Sequence, residues 1–460
     1  MSQDLASLHH QQRAYFASGK SRPLATRKAC LQRLKKEISE RQEAIHQALY
    51  ADFKKPYFES LISESAYVLK EIDLYLKYLK KWALPERVPA TLLNFPSRDY
   101  IYKEPYGCTL IISPWNYPFN LAMAPLIAAI AAGNTAVIKP SEKAPATAQI
   151  LQEIVSAVFP PGQVSVVTGG KDVAQGLLAL RWDYIFFTGS VAVGKKVAEA
   201  AAPQLTPLTL ELGGKNPCIV DETANLEVAA RRIVWGKFFN AGQTCLAPDY
   251  LLVHEHVKEA FVTHFSNALK KAYGEHPKTS EDFARIIDQE HFERLEKLLH
   301  DEKVLLGGAT DPTDRYIAPT LVDAPDFRES ELMEEEIFGP ILPLLTYRQL
   351  EDLDHYVDRY AKPLSLYVFS TNKQFKNSIV DRYAFGGGVI NDTLVHFVND
   401  KLPFGGVGHS GMGAYHGKYG FMTFSHQKSV VKRGNWPDIP FRYAPYKKKM
   451  RWMKRLMKWL

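Results

Sequence analysis

Apolar residues recur at helical spacing near the start of the chain. Leu31, Leu34, Ile38, Ile45 and Leu49 lie three, four, seven and four positions apart, with charged residues between them. That period predicts a helical stretch over residues 24–50, and residues 60–82 continue in the same style. Pro85, Pro89, Pro96 and Pro105 then exclude a helix over Leu84–Pro105. Alternating apolar positions around Tyr100–Tyr102 predict an extended segment there.

From Gly107 the pattern changes to short apolar, β-branched runs alternating with helical ones. Cys108–Ile112, Thr135–Ile138, Val164–Val167 and Tyr184–Phe187 read as strands. Pro118–Ala132, Ala144–Val158, Val173–Leu180 and Val191–Ala201 read as the intervening helices. This alternation implies βαβ units and a parallel sheet covered on both faces. It restarts after Leu208. Pro217–Val220, Leu251–Val253, Ile341–Leu345 and Leu366–Phe369 are predicted strands, and helices are expected over Leu226–Phe239 and near Val257–Tyr273 and Gln349–Tyr360. Residues 274–328 are polar and show no clear period. The expected class is therefore α/β, with two such domains.

Composition changes this picture little. A chain of 460 residues with 46% hydrophobic and 23% charged residues is an ordinary globular protein of two or three domains. Cys30, Cys108, Cys218 and Cys245 are scattered, without a Cys-x-x-Cys pair, which argues against a zinc knuckle or disulfide framework and for a reducing, cytoplasmic setting. The first residues, MSQDLASLHH, lack a secretory signal pattern. The apolar run Phe119–Ala132 is too short to span a bilayer and reads as a buried helix. Charge is uneven. The net +7 equals the seven Lys/Arg of residues 447–460, KKKMRWMKRLMKWL, so the remainder is formally neutral and no nucleic-acid partner is expected of it.

Candidate chemistry gathers at Cys245, at four turns that follow strands, where ligands of parallel sheets bind, and at one weaker stretch, EEIFGP. Cys245 stands in NAGQTCLAPDY, among small and polar residues, with Gly242 allowing close backbone approach. It is either a working thiol or a buried, inert one. Asn116, in ISPWNYPF, is either a donor to a developing oxyanion or a residue of a helix's first turn. In KPSE, Lys139 and Glu142 could hold ribose hydroxyls, or Ser141 could cap a helix. In FTGSVAVGKK, Gly189, Ser190 and Gly194 sit where free backbone N–H groups favour a phosphate. The stretch nearly spells a P-loop, but Lys196 stands where magnesium binding needs Ser or Thr. Glu211, in LELGGKNP, lies between leucines, which suits a general base of raised pKa or an ion-paired strand-end residue. Glu336 and Phe338, in EEIFGP, put an acid and an aromatic ring at alternate positions.

Taken together and in this order, these stretches resemble the aldehyde dehydrogenase superfamily over roughly residues 1–435. AGQTCLAPDY, PLSLYVFS at 363–370 and LPFGGVGHSGMG at 402–413 are similar to its class 3, fatty aldehyde dehydrogenase-like branch. The resemblance implies an aldehyde dehydrogenase-like fold: an NAD(P)-binding domain over 1–83 and 103–209, a catalytic domain over 210–395, and a bridging, oligomerising segment over 84–102 and 396–435. It implies Cys245 as nucleophile, Glu211 as general base and Asn116 as oxyanion donor. It places Lys139 and Glu142 at the adenosine ribose, Gly189, Ser190 and Gly194 near the pyrophosphate, and Glu336 and Phe338 at the nicotinamide ribose and ring. Val191 departs from the threonine of many relatives.

The implied reaction is NAD(P)-dependent oxidation of medium- or long-chain aliphatic, or aromatic, aldehydes to acids through a cysteine thioester, in a homodimer without a metal. Glu142 leans toward NAD, with NADP allowed. His254 and His256 show no third ligand and read as surface residues. In the tail, residues 436–460, Trp452, Leu456 and Trp459 share one helical face among basic residues, which reads as a helix lying on an anionic membrane surface at its inner face. Two other classes compete: a P-loop nucleotide hydrolase or kinase using Gly189–Lys195, and a non-catalytic membrane-associated scaffold of the same fold.

Overall fold

A computed structural model describes residues 4–91, 94–324, 330–438, 440–447 and 449–457. The chain divides into two compact units, Met1–Trp82 with Pro105–His426, and Ala83–Glu104 with Gln427–Leu460.

The larger unit holds two sheets. In the first, six strands run in the order Gly411–Met412, Leu208–Glu211, Tyr184–Thr188, Cys108–Ile112, Thr135–Lys139, Val164–Val166. All neighbours are parallel except the short first strand. The chain winds outward from Cys108–Ile112 to one side and returns through Tyr184–Thr188 on the other. The crevice between these two strand ends is a topological switch point, where such sheets bind ligands. The second sheet has seven strands, in the order Val304–Leu306, Thr320–Asp323, Ile341–Tyr347, Tyr250–His254, Pro217–Val220, Ser365–Phe369, Gly387–Ile390. Only its first pairing is antiparallel.

Period explains the elements. The strands of the first sheet's centre are buried along their whole length, as continuous apolar runs must be when both faces are covered. The helix Asn120–Ala132 is buried at every residue, so its lack of a polar face follows from its place in the core. Each fully buried Ile or Leu there contributes roughly 1.5–3 kcal/mol. The predicted helix 24–50 is two helices, Leu24–Glu40 and Gln42–Phe53, broken at Arg41, yet Leu31, Leu34, Ile38, Ile45 and Leu49 are all fully buried. A π-helical turn, Leu61–Ser65, precedes the helix Ala66–Ala83.

The unpatterned stretch holds the helix Gln289–Leu298 and several strands of two to four residues, too short to show a period; 325–329 lie outside the described residues. The smaller unit is a three-stranded sheet ordered Glu86–Val88, Arg98–Pro105, Ser425–Lys432, with Lys432 over the rings of Tyr100 and Tyr102 at 5.0 and 5.6 Å. Of the segment expected to bridge, 396–426 belong to the larger unit. A helix spans Met450–Leu456, with Trp452 exposed; Lys458, Trp459 and Leu460 lie outside the described residues. Among the described residues no helix is long and apolar enough to cross a membrane.

Candidate active site

Cys245 lies in the loop between the helix Leu226–Phe238 and the strand Tyr250–His254. Three residues before it are left-handed: Asn240, Ala241 and Gly242, with φ of 58°, 52° and 74°. Such a run is costly for L-residues and persists only where its surroundings impose it. Here they do. The Asn240 N–H donates to Glu59 Oε2 at 2.9 Å, and its side-chain amide donates to the Asn116 and Gln243 carbonyls at 2.9 and 3.1 Å. Gln243 donates to the Arg285 carbonyl at 3.0 Å and accepts from the Ile287 N–H at 3.0 Å. A Cβ on Gly242 would lie 2.3 Å from the Gly339 carbonyl oxygen, so glycine is required for that contact. Beyond the cysteine, the Asn216 amide donates to the Cys245 and Ala247 carbonyls at 2.6 and 3.1 Å.

Asn116 sits in the turn between the strand Cys108–Ile112 and the helix Asn120–Ala132. One of its amide hydrogens is committed to the Gln243 carbonyl at 3.1 Å, leaving the other available. Its neighbour Tyr117 shares a 2.6 Å hydrogen bond with Thr244, adjacent to Cys245. The Tyr117 ring rests 3.9 Å from Lys55 Nζ. Lys55 pairs with Glu64 at 2.8 Å, both fully buried, and Glu64 accepts the Asn120 N–H at 2.8 Å. A buried ionic pair thus fixes the turn that carries Asn116.

Glu211 ends the strand Leu208–Glu211 and is buried, with neither carboxylate oxygen hydrogen-bonded among the described residues. Burial among apolar neighbours raises its pKa well above the carboxylate range. Burial, reinforced by the carboxylates of Glu336 and Glu211, pushes the Cys245 thiol up to about 12. Glu336 is pushed to about 8, chiefly by burial and then by Asp249.

Two cavities meet here. One, of about 610 Å³, is bordered by Asn116, Gly189, Ser190, Glu336, Phe338, Glu211 and Cys245. The other, of about 140 Å³, is walled by Tyr67, Tyr117, Trp235, Phe239, Phe397 and Phe404 and also reaches Glu211 and Cys245. Thr188 and Leu212 border both.

The larger cavity fits a dinucleotide. It opens at the switch point, and Ser190 caps the helix Val191–Ala201 there, accepting the Val193 N–H at 3.4 Å, so that helix directs its first N–H groups outward. Gly213 admits the Glu336 carboxylate, which would lie 2.2 Å from a Cβ. Glu336 and Phe338 are held by a group that sequence reasoning missed: Lys215 pairs with Asp249 at 2.5 Å and donates to the Leu332 and Glu335 carbonyls, while Asp249 accepts the Ile337 N–H at 3.0 Å. KNP and PDY, either side of the cysteine in sequence, were its only signal. Trp115 packs edge-on against Phe338 at 5.3 Å, and His291 donates to the Phe338 carbonyl at 2.8 Å.

Three of the predicted groups have local partners of their own. Lys139 and Glu142 pair with each other at 2.6 Å and do not border the larger cavity. Ser141 caps no helix: it accepts the Lys143 N–H at 3.2 Å in a turn, and the helix begins at Pro145. Gly194 is buried within its helix, against Leu212, and the Gly189 N–H donates to the Glu211 carbonyl at 3.0 Å. Only Gly189 and Ser190 separate strand from helix, so no P-loop cradle forms. His254 is a further correction: it is buried, and Glu222 faces both it and His256.

Known proteins match the chain over nearly its whole length. The model of the aldehyde dehydrogenase family matches residues 2–430. The chain is 46% identical to the 4,4'-diaponeurosporen-aldehyde dehydrogenase of Staphylococcus aureus, over 98% of each chain. It is 44% identical to the dimeric NADP-preferring aldehyde dehydrogenase of Canis lupus familiaris, over 95% of this chain and 97% of that one. A solved structure of Staphylococcus aureus AldH in a substrate-bound state superposes with a TM-score of 0.96 at 45% identity, covering 98% of this chain and 99% of that one. The chain belongs to the aldehyde dehydrogenase family and is an NAD(P)-dependent aldehyde dehydrogenase.

Proposed function

We propose that Cys245 is the nucleophile of this dehydrogenase, acting on hydrophobic aldehydes, medium- or long-chain aliphatic or aromatic, that enter through the apolar cavity. The observation that carries this is the meeting of an apolar and a polar cavity at Cys245 and at the unpartnered carboxylate of Glu211.

The Cys245 thiolate attacks the aldehyde carbon, forming a carbon–sulfur bond. The remaining amide hydrogen of Asn116 and the backbone N–H of Cys245 meet the oxyanion. When bound, NAD or NADP supplies the hydride acceptor, leaving an acyl thioester on Cys245. Glu211 takes a proton from water, which attacks the thioester and releases the acid and the thiol. A raised pKa makes Glu211 a strong base for this, and for the thiol proton before attack. Glu336 and Phe338 hold the nicotinamide ribose and ring, Gly189 and Ser190 lie near the pyrophosphate with Gly194 behind them in the helix, and Lys139 with Glu142, paired at the end of the strand Thr135–Lys139, holds the adenosine ribose beyond the edge of the larger cavity.

The test follows nicotinamide reduction with long-chain, short-chain and aromatic aldehydes, with NAD and with NADP, beside Cys245→Ala. Reduction that persists in the variant would remove the assignment.

We also propose a homodimer, supported by the dimeric canine relative, and contact of the basic tail with an anionic membrane surface, supported by the exposed Trp452 beside Arg451, Lys454 and Arg455. Deleting 447–460 should abolish flotation with anionic liposomes. Unchanged flotation would refute the tail's role.

A further inference from the structure

Two parallel neighbours of the second sheet, Pro217–Val220 and Tyr250–His254, end side by side. Glu222 follows the first; His254 closes the second, and His256 follows in the turn Glu255–Val257. One ligand atom from each of the three can be chosen so that all lie within 4.8 Å of one another.

Their hydrogen bonding settles which nitrogen of His254 carries the hydrogen. His254 Nε2 lies 2.9 Å from the Arg348 carbonyl oxygen. A carbonyl only accepts, so Nε2 carries the hydrogen and Nδ1 presents its lone pair. That lone pair faces Glu222 Oε2 at 4.0 Å and accepts a long hydrogen bond from the His256 N–H at 3.4 Å, which a bound ion would replace. His256 Nδ1 lies 3.3 Å from the same carboxylate oxygen. An imidazole whose far N–H is fixed by a backbone carbonyl is the usual state of a metal-ligating histidine. The support is itself held. The Arg348 N–H donates to Asp352 at 2.8 Å and its guanidinium pairs with Glu255 at 2.7 Å. The buried His254 ring is packed edge-on against Tyr347 at 5.2 Å.

We infer that Glu222, His254 and His256 bind a zinc-class divalent cation. Two imidazoles and one carboxylate suit zinc, and cobalt as its stand-in, rather than magnesium or calcium, which need more oxygen ligands. Zinc bonds of about 2.1 Å put tetrahedral ligand atoms about 3.4 Å apart. The Glu222–His256 separation already matches, and these two exposed side chains supply the remaining adjustment around the fixed His254. A bound ion ties two strand ends to the Arg348 loop, well along the strand from the Cys245 loop, and stabilises the folded chain by mass action.

The test titrates the chelator-stripped full-length protein with zinc by calorimetry and with cobalt by absorption, in wild type, Glu222→Gln and His256→Ala. Cobalt separates this site from cysteine, because only thiolate ligation gives a sulfur-to-metal charge-transfer band. The expected result is one equivalent bound without that band, weakened at least about tenfold in each variant, with a zinc-dependent rise in thermal midpoint that the variants lose. Aldehyde turnover without metal should match wild type in both variants, which confirms their folding. Equal binding by all three proteins, a thiolate band alone, or no binding by wild type would overturn the proposal. In that case Glu222 and His256 form only a surface hydrogen bond.

Discussion

On one side of Cys245 the wall is aromatic, Tyr67, Trp235, Phe239, Phe397 and Phe404 around about 140 Å³. On the other it is glycine, backbone N–H and carboxylate around about 610 Å³. The first can recognise only shape and apolarity. The second offers directional donors and charge. They also differ in what holds them: the polar wall rests on a buried ion pair, Lys215 with Asp249, and on strand ends, while the apolar wall is made of side chains that can be exchanged singly. The cofactor side is therefore fixed by the fold, and the aldehyde side is set by a handful of residues.

The largest expected effect is common to both sides. Cys245→Ala should lower turnover by about 10⁴-fold or more while dinucleotide binding, read by calorimetry, stays near wild type. Loss of both together would mean the cavities are not independent. Asn116→Ala should lower kcat about 10²- to 10³-fold with little change in aldehyde KM. Glu211→Gln should slow thioester hydrolysis, so that rapid-mixing experiments show a burst of nicotinamide reduction followed by a slow steady state. No burst would give Glu211 its main role before the thioester.

Smaller effects divide the two walls. Phe397→Ala should shift the ranking of aldehydes by chain length by roughly 10-fold, leaving cofactor KM unchanged, while Glu336→Gln should raise cofactor KM by about 10-fold and leave that ranking alone. Crossed effects would break the comparison. Alkylation of Cys245 in the cofactor-free enzyme reads the carboxylates directly. The thiol's pKa is raised to about 12, so the thiolate is scarce at neutral pH and its fraction grows as pH rises toward that value. The alkylation rate should climb about tenfold per pH unit between 7 and 9. Glu336→Gln removes a carboxylate that becomes negative only as pH rises through about 8, so it should accelerate alkylation at pH 9 and change it little at pH 7.

Four of the six strands of the first sheet were legible because they form continuous apolar runs between regular helices, as Cys108–Ile112 and Val191–Ala201 show. The short strands within 274–328 were not, since a two-residue strand such as Thr310–Asp311 has no period to detect. In the site, Glu211 and Asn116 were visible by residue type after strands and Cys245 by its small and polar neighbours, and the structure brings all three to one cavity. Lys55, Glu59 and Glu64 were invisible. Lys55 lies just after the helix Gln42–Phe53, and Glu59 and Glu64 in the helical turns that follow, all more than a hundred residues from Cys245 in sequence, and a charged residue there gives no sign that it faces inward.

The Gly242 contact with the Gly339 carbonyl joins main chain to main chain, with no side chain between. The thiol loop and the Glu336–Phe338 loop are therefore registered by a junction that substitutions elsewhere leave in place. Mutational drift, or a laboratory search for new aldehyde specificities, can rework the aromatic wall extensively and keep the reacting groups in alignment. At Gly242 itself almost nothing can be explored. A lineage of such enzymes should diversify in what it oxidises long before it changes how.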